Sequence, residues 1–70
     1  MSDTSEHLEK LVLDFIKNRT EQDESTAARH IHRRFDIPME DAAQILENLS
    51  EKFIREFYDK EYQENRYTLK

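Results

Sequence analysis

No glycine occurs among the 70 residues, so any backbone position that needs a left-handed conformation must be filled by Asn, Asp or a strained residue. This chain, with fewer apolar than charged residues, is also best suited by a helix-rich fold. Its single proline, Pro38, adds a second fixed point. Pro38 lacks a backbone donor and restricts Ile37 to extended geometry, so a helix approaching it must stop by Asp36. Pro38 is then placed to open the next helix.

The apolar class makes up 36% of the residues and the charged class 39%. That ratio is near the lower edge for a domain that folds alone, and the core must be compact to offset the ordering entropy. One domain over residues 1–70 is expected, with residues 1–4 disordered. The absence of cysteine excludes a disulfide scaffold, a thiolate zinc site and a cysteine nucleophile. The longest apolar run, Leu11-Val12-Leu13, falls far short of the roughly 18 residues that span a bilayer. No transmembrane or signal segment is expected, and a cytoplasmic location follows.

Asp3 stands three residues before Glu6, the spacing of a capping box that begins a first helix. Leu8, Leu11, Val12, Phe15 and Ile16 then recur as one stripe of a 3.6-residue period. Glu9, Lys10, Asp14 and Lys17 take the opposite face, with Lys10 and Asp14 spaced as a weak surface pair. Residues 18–20 are expected to fray. The polar run over residues 20–25 reads as a loop in which Asp23 or Ser25 caps a second helix of about three turns. Ala28, Ile31 and Phe35 mark the inner side of that helix, and Arg29, Arg33 and Arg34 the outer.

In the helix after Pro38, Ala42, Ile45, Leu46 and Leu49 form the apolar stripe, leaving Glu40, Asp41, Gln44, Glu47 and Asn48 outside. Past Ser50 two continuations compete. Leu46, Leu49, Phe53 and Phe57 keep a helical spacing, whereas the aromatic and β-branched cluster at 53–58 and the alternation at 66–69 favour a hairpin. Its connection holds Asp59 and Asn65, which tolerate positive φ. The expected fold is α+β: three helices around Leu8, Leu11, Phe15, Ile31, Phe35, Ile45, Leu46, Leu49 and Ile54, closed by a C-terminal two-stranded hairpin. An all-α helical bundle is the alternative.

Three short helices, a tight Asp36-Ile37-Pro38 turn before the third and a terminal hairpin resemble the element order of winged helix-turn-helix domains. The resemblance spans Leu8 to Leu69. It implies a small transcription-regulator-like protein whose third helix enters the DNA major groove and whose wing touches the backbone or minor groove. The implied base contacts are Gln44 and Asn48, whose amides pair with adenine, and the implied phosphate contacts are Arg29, Arg33, Lys60 and Arg66.

Charge suggests a different function. Sixteen acidic residues against 11 basic ones give a net charge of −5, and no Lys or Arg lies between Pro38 and Glu51. Counterion release by cations supplies most non-specific DNA affinity, and that helix has none to contribute. The alternative is a protein-interaction module that sets Glu40, Asp41, Glu47 and an exposed Tyr62 against a basic partner, mimicking nucleic-acid charge.

The run Arg29-His30-x-His32-Arg33-Arg34 is either a clamp for phosphates or acidic partners, or a solvated face balanced by Glu21, Asp23, Glu24 and the third helix. Phe57 and Tyr67 read as core. Leu13 and Met39 fall off the stripes as exposed apolar spots, and Leu13 suggests a helix-face homodimer. His30 and His32 diverge on a helix, so neither a metal site nor a cofactor is expected. No phosphate loop, nucleophile–base spacing or metalloprotease pattern occurs, so no catalytic residue and no enzyme are expected. Double-stranded DNA or a basic protein is the expected partner, with no membrane.

Overall fold

A computed structural model describes the backbone of residues 2–70 and the side chains of residues 6–70. Helices α1 (Ser2–Glu21), α2 (Ala28–Phe35) and α3 (Met39–Ser50) precede an antiparallel hairpin of β1 (Ile54–Asp59) and β2 (Glu64–Leu69). The class is α+β, and the all-helical alternative does not hold. Residues 2–4, where disorder is expected, have helical backbone in α1, and Asp3 lies inside that helix instead of before its first residue, with its side chain outside those described.

The core gathers Val12 and Ile16 of α1, Ile31 of α2, Ala42, Ile45, Leu46 and Leu49 of α3, and Ile54 and Tyr67 of the hairpin. Each large aliphatic side chain fully buried here contributes about 1.5–3 kcal/mol. The α3 stripe is as expected; the α1 stripe is not. Leu8 and Phe15 only flank the core, as does Phe35 of α2, and Leu11 is 41% exposed. The packing face of α1 is turned toward Leu13 and Thr20 by roughly half of one residue's 100° step. An apolar stripe this wide does not mark its own centre. Phe15 and Phe35 meet edge to face, ring centroids 5.8 Å apart.

Instead of fraying at residues 18–20, α1 runs to Glu21 because these side chains have distant partners. Thr20 Oγ1 donates to the Ile16 carbonyl at 2.9 Å and accepts from the Leu69 amide at 3.1 Å. Arg19 donates to Thr26 Oγ1 at 3.0 Å and to the Ser25 carbonyl at 2.7 Å. Neither Asp23 nor Ser25 caps α2. Its N-cap is Ala27, whose amide donates to His30 Nδ1 at 2.9 Å. Thr26, fully buried, exchanges backbone hydrogen bonds of 2.9 and 2.7 Å with Tyr67, forming a bridge beside β2. Residues spent on that bridge leave α2 eight residues, or two turns rather than three.

Helix α2 ends on Asp36 in the left-handed region, φ 55° and ψ 49°, and the His32 Nδ1–H donates to the Ile37 carbonyl. Pro38 follows as the N-cap of α3, its carbonyl accepting from the Asp41 and Ala42 amides at 3.0 Å.

The hairpin pairs Ile54 with Leu69 through to Asp59 with Glu64. β1 therefore begins one residue later than expected, β2 two residues earlier, and the connection is residues 60–63. Asp59 Oδ1 accepts from the Glu61 and Tyr62 amides at 2.9 and 3.3 Å, the side-chain-mimicked turn that Asp favours. The positive φ falls on Gln63 (54°) rather than on Asp59 or Asn65. Gln has no local hydrogen bond to offset the left-handed penalty of about 1–2 kcal/mol. Gln63→Gly is therefore expected to stabilise the fold by about 1 kcal/mol and raise the melting temperature by roughly 4–8 °C. A calorimetric scan showing no increase would contradict this.

Strand alternation places Ile54, Glu56 and Tyr67 on the core face and Arg55, Phe57 and Arg66 on the other. Phe57 is consequently 42% exposed, not core. Tyr67 closes the core, and its hydroxyl donates to Glu56 at 3.0 Å. Burial and that carboxylate push its pKa up to about 12.

Candidate functional site

Arg66 is the pivot of the polar surface. β2 directs it to the face opposite the core, yet it is only 8% exposed, because the α1–α2 loop and the hairpin tip fold over it. Its guanidinium donates to Glu64 at 3.0 Å and to the Ser25 carbonyl at 3.1 Å, and lies 4.0 Å from Asp59. Its Nε is buried with no partner among the described residues. Glu64 also accepts both contacts from Arg29 Nε, at 3.0 and 3.2 Å. The Tyr62 ring stands beside both guanidiniums, 5.4 Å from Arg66 and 5.8 Å from Arg29, distances at which a cation is attracted to an aromatic ring. The Arg29 hydrogen bond, more than any other contact, holds the Glu64 carboxyl below its ordinary value. Glu64 in turn raises that of Arg29.

Of the basic run expected to balance against Glu21, Asp23, Glu24 and α3, Arg29 is matched instead by Glu64 of the hairpin. Arg19 pairs with Glu24 at 3.6 Å. Lys10 and Asp14 form no ion pair among the described residues. Arg33 and Lys60 are exposed and, among the described residues, have no ion-pair partner.

Gln44 and Asn48 lie elsewhere. Gln44 donates to Asn48 Oδ1 and Asn48 to Glu9 of α1, both at 3.1 Å, bordering a groove of about 280 Å³ with Leu8 and Asp41. Met39 and Ala43 occupy the opposite flank of α3, in a second groove with Arg29, Asn65 and Tyr67. The structure thus brings Arg29, Arg66 and Tyr62 together, while Gln44 and Asn48 sit across the helix. Met39 is 48% and Tyr62 59% exposed, as expected of both.

Between those flanks, the outer face of α3 presents Glu40, Gln44, Glu47 and Glu51, with Asp41 beside them. Glu40 and Asp41 complement the positive end of the helix dipole. Glu47 and Glu51 do the reverse, standing at the negative end, where the last turn has no basic residue. Such an arrangement opposes the dipole by about 0.3–1 kcal/mol per charge.

His30 lies partly buried near Arg19, Arg29 and Arg66. Burial, then those three cations, lower its pKa below 6.5, in keeping with the hydrogen bond that its unprotonated Nδ1 accepts. A lowered folded pKa means that the unfolded chain binds more protons below pH 6.5. The contribution of His30 to stability is complete above that pH and is lost as the pH falls toward the folded value. His30→Gln keeps a capping acceptor and is expected to flatten the decline in melting temperature between about pH 7 and 5.5. An unchanged slope would show that His30 is not responsible.

Sequence reasoning missed Thr26, Asp59 and Glu64, the residues that organise this surface. Asp59 drew attention only as a turn former, and Thr26 and Glu64 carried no local signal.

No family profile, curated protein or solved structure matches the chain.

Proposed function

We propose that the chain is a protein-interaction module that docks a Lys/Arg-rich segment of a partner on the outer face of α3. One observation carries this reading: Glu47 and Glu51 stand against the dipole at the C-terminal end of α3, on a face that holds no cation. Local stability disfavours carboxylates there, and residues that break a local rule without compensation are where function is sought. Glu40, Asp41 and Glu47 supply the attraction. Met39, exposed on the flank of α3, and Tyr62, exposed at the hairpin tip beside Arg29, add adaptable apolar contact.

Duplex DNA binding is the competing reading, supported by the winged-helix order of elements and by exposed Arg33 and Lys60. Against it, Arg66 is engaged with Glu64, Asp59 and Ser25, and Arg29 with Glu64. The amides of Gln44 and Asn48 are also occupied, with each other and with Glu9.

The test is an amide-shift titration with a lysine-rich peptide of about a dozen residues at low ionic strength, where exposed charges attract most strongly. Shifts are expected at Glu40, Gln44, Glu47 and Glu51, and the paired substitutions Glu40→Lys and Glu47→Lys are expected to weaken binding at least tenfold. Binding that the two substitutions leave unchanged, or shifts confined to other faces, would overturn the proposal.

A further inference from the structure

Among the described residues the outer edge of β1 has no strand neighbour, since the sheet there consists of β1 and β2. The Lys70 amide donates to the Phe53 carbonyl at 3.1 Å, which makes 53 and 70 a hydrogen-bonded antiparallel pair. By alternation, 55, 57 and 59 also bond inward to β2. Ile54, Glu56 and Tyr58 therefore direct their N–H and C=O groups to the open edge. Tyr67, opposite Glu56, points its own amide away from β1 to Thr26, as the same alternation requires. Residues 55–58 are all exposed.

The side chains on that edge read as a self-complementary string, Arg55-Glu56-Phe57-Tyr58-Asp59. We propose that two copies of the chain pair through β1, antiparallel about a two-fold axis at Phe57, joining their hairpins into one four-stranded sheet. In this register Arg55 of each copy lies directly opposite Asp59 of the other, at the 4.5–5.5 Å Cβ spacing typical of cross-strand pairs. Phe57 meets its own counterpart, and each Glu56 exchanges backbone hydrogen bonds with Tyr58 of the second copy. Asp59 can accept a second cation. Its Oδ1 holds the turn amides, while among the described residues its Oδ2 has only the 4.0 Å contact with Arg66.

Charges on an edge strand ordinarily prevent sheet-to-sheet association, but here they select one register. Centring the pair on Glu56 sets two carboxylates face to face, and centring it on Tyr58 leaves only residues 57–59 paired within the strands. A β1–β1 contact that pairs residues 55–59 of each copy falls at the small end of specific interfaces, so the dimer is weak and concentration-dependent. The contact is separate from the outer face of α3 and does not depend on what that face binds.

Sedimentation of the full chain from about 10 μM to 1 mM spans the range expected for a small interface. The mean mass is expected to climb toward twice that of one chain. Phe57→Lys removes the central contact, and Tyr58→Pro removes an N–H that faces outward while leaving the Glu56–Tyr67 hydrogen bond in place. Each should raise the concentration for half-dimerisation at least tenfold with the circular dichroism unchanged. Amide exchange on the unaltered chain supplies an answer that needs no variant, because protection at Glu56 and Tyr58 should rise with concentration. A chain that stays monomeric to about 1 mM, a dimer that survives both substitutions, or protection that stays flat would overturn the proposal.

Discussion

Truncating Leu46 to Ala is expected to remove about 3 kcal/mol of folding stability, whereas Leu11→Ala should cost less than about 1 kcal/mol. Leu46 is fully buried in the centre of α3, and Leu11 is exposed on α1. The first loss combines lost transfer energy with a cavity that neighbours fill only in part. A domain of this length holds roughly 4–10 kcal/mol in total, so Leu46→Ala should leave a population that melts only slightly above room temperature. Both residues lie on apolar stripes in the sequence, and the difference between them measures how α1 is rotated against the core. Urea unfolding followed by circular dichroism gives both values. Equal losses would mean that α1 packs through the stripe centred on Leu8 and Leu11 after all.

Arg66→Met is the second large effect, expected to cost about 2–3 kcal/mol and to lower the melting temperature by roughly 10–20 °C. Met fills much of the volume but leaves the Asp59 carboxylate without its cation and removes a donor from the Ser25 carbonyl. The cost stays below that of breaking a fully isolated buried pair, because Glu64 retains Arg29 and Ser25 retains Arg19. Arg66→Lys should fall in between, since one ammonium cannot reach both carboxylates and the carbonyl. Arg29→Met, at the exposed end of the same chain of pairs, should change stability little. If Arg66→Met melts with the unaltered protein, the hairpin is held by its apolar face alone.

Periodicity and turn chemistry made the fold largely legible. Ala42, Ile45, Leu46 and Leu49 form a narrow stripe with a polar surround, and Pro38 marks a helix boundary whatever the tertiary context. The α1 stripe was wide enough to leave its rotation undetermined, and only packing against α3 and β2 settled it. Arg19 and Thr20 looked like a fraying end because their partners, Thr26 and Leu69, stand far along the chain. The candidate surface was less legible still. Arg66 stands two residues from Glu64 on one face of β2, but Arg29 is 35 residues away and reaches Glu64 only through the packing of α2 beside the hairpin, which sequence spacing does not encode. The absence of glycine did foretell that Asp would take left-handed positions, as it does at 23 and 36, but not that Gln63 would.

The central claim is that Arg29 and Arg66 are matched by the chain's own carboxylates, leaving α3 as an acidic face rather than a phosphate-binding one. It is tested most directly by fluorescence anisotropy of a labelled duplex at low ionic strength, where phosphate attraction is strongest. The expected result is no saturable binding across the concentration range in which a lysine-rich peptide binds. Saturable binding to the duplex that weakens steeply with added salt and falls on replacing Arg29, Arg33 and Lys60 would contradict it.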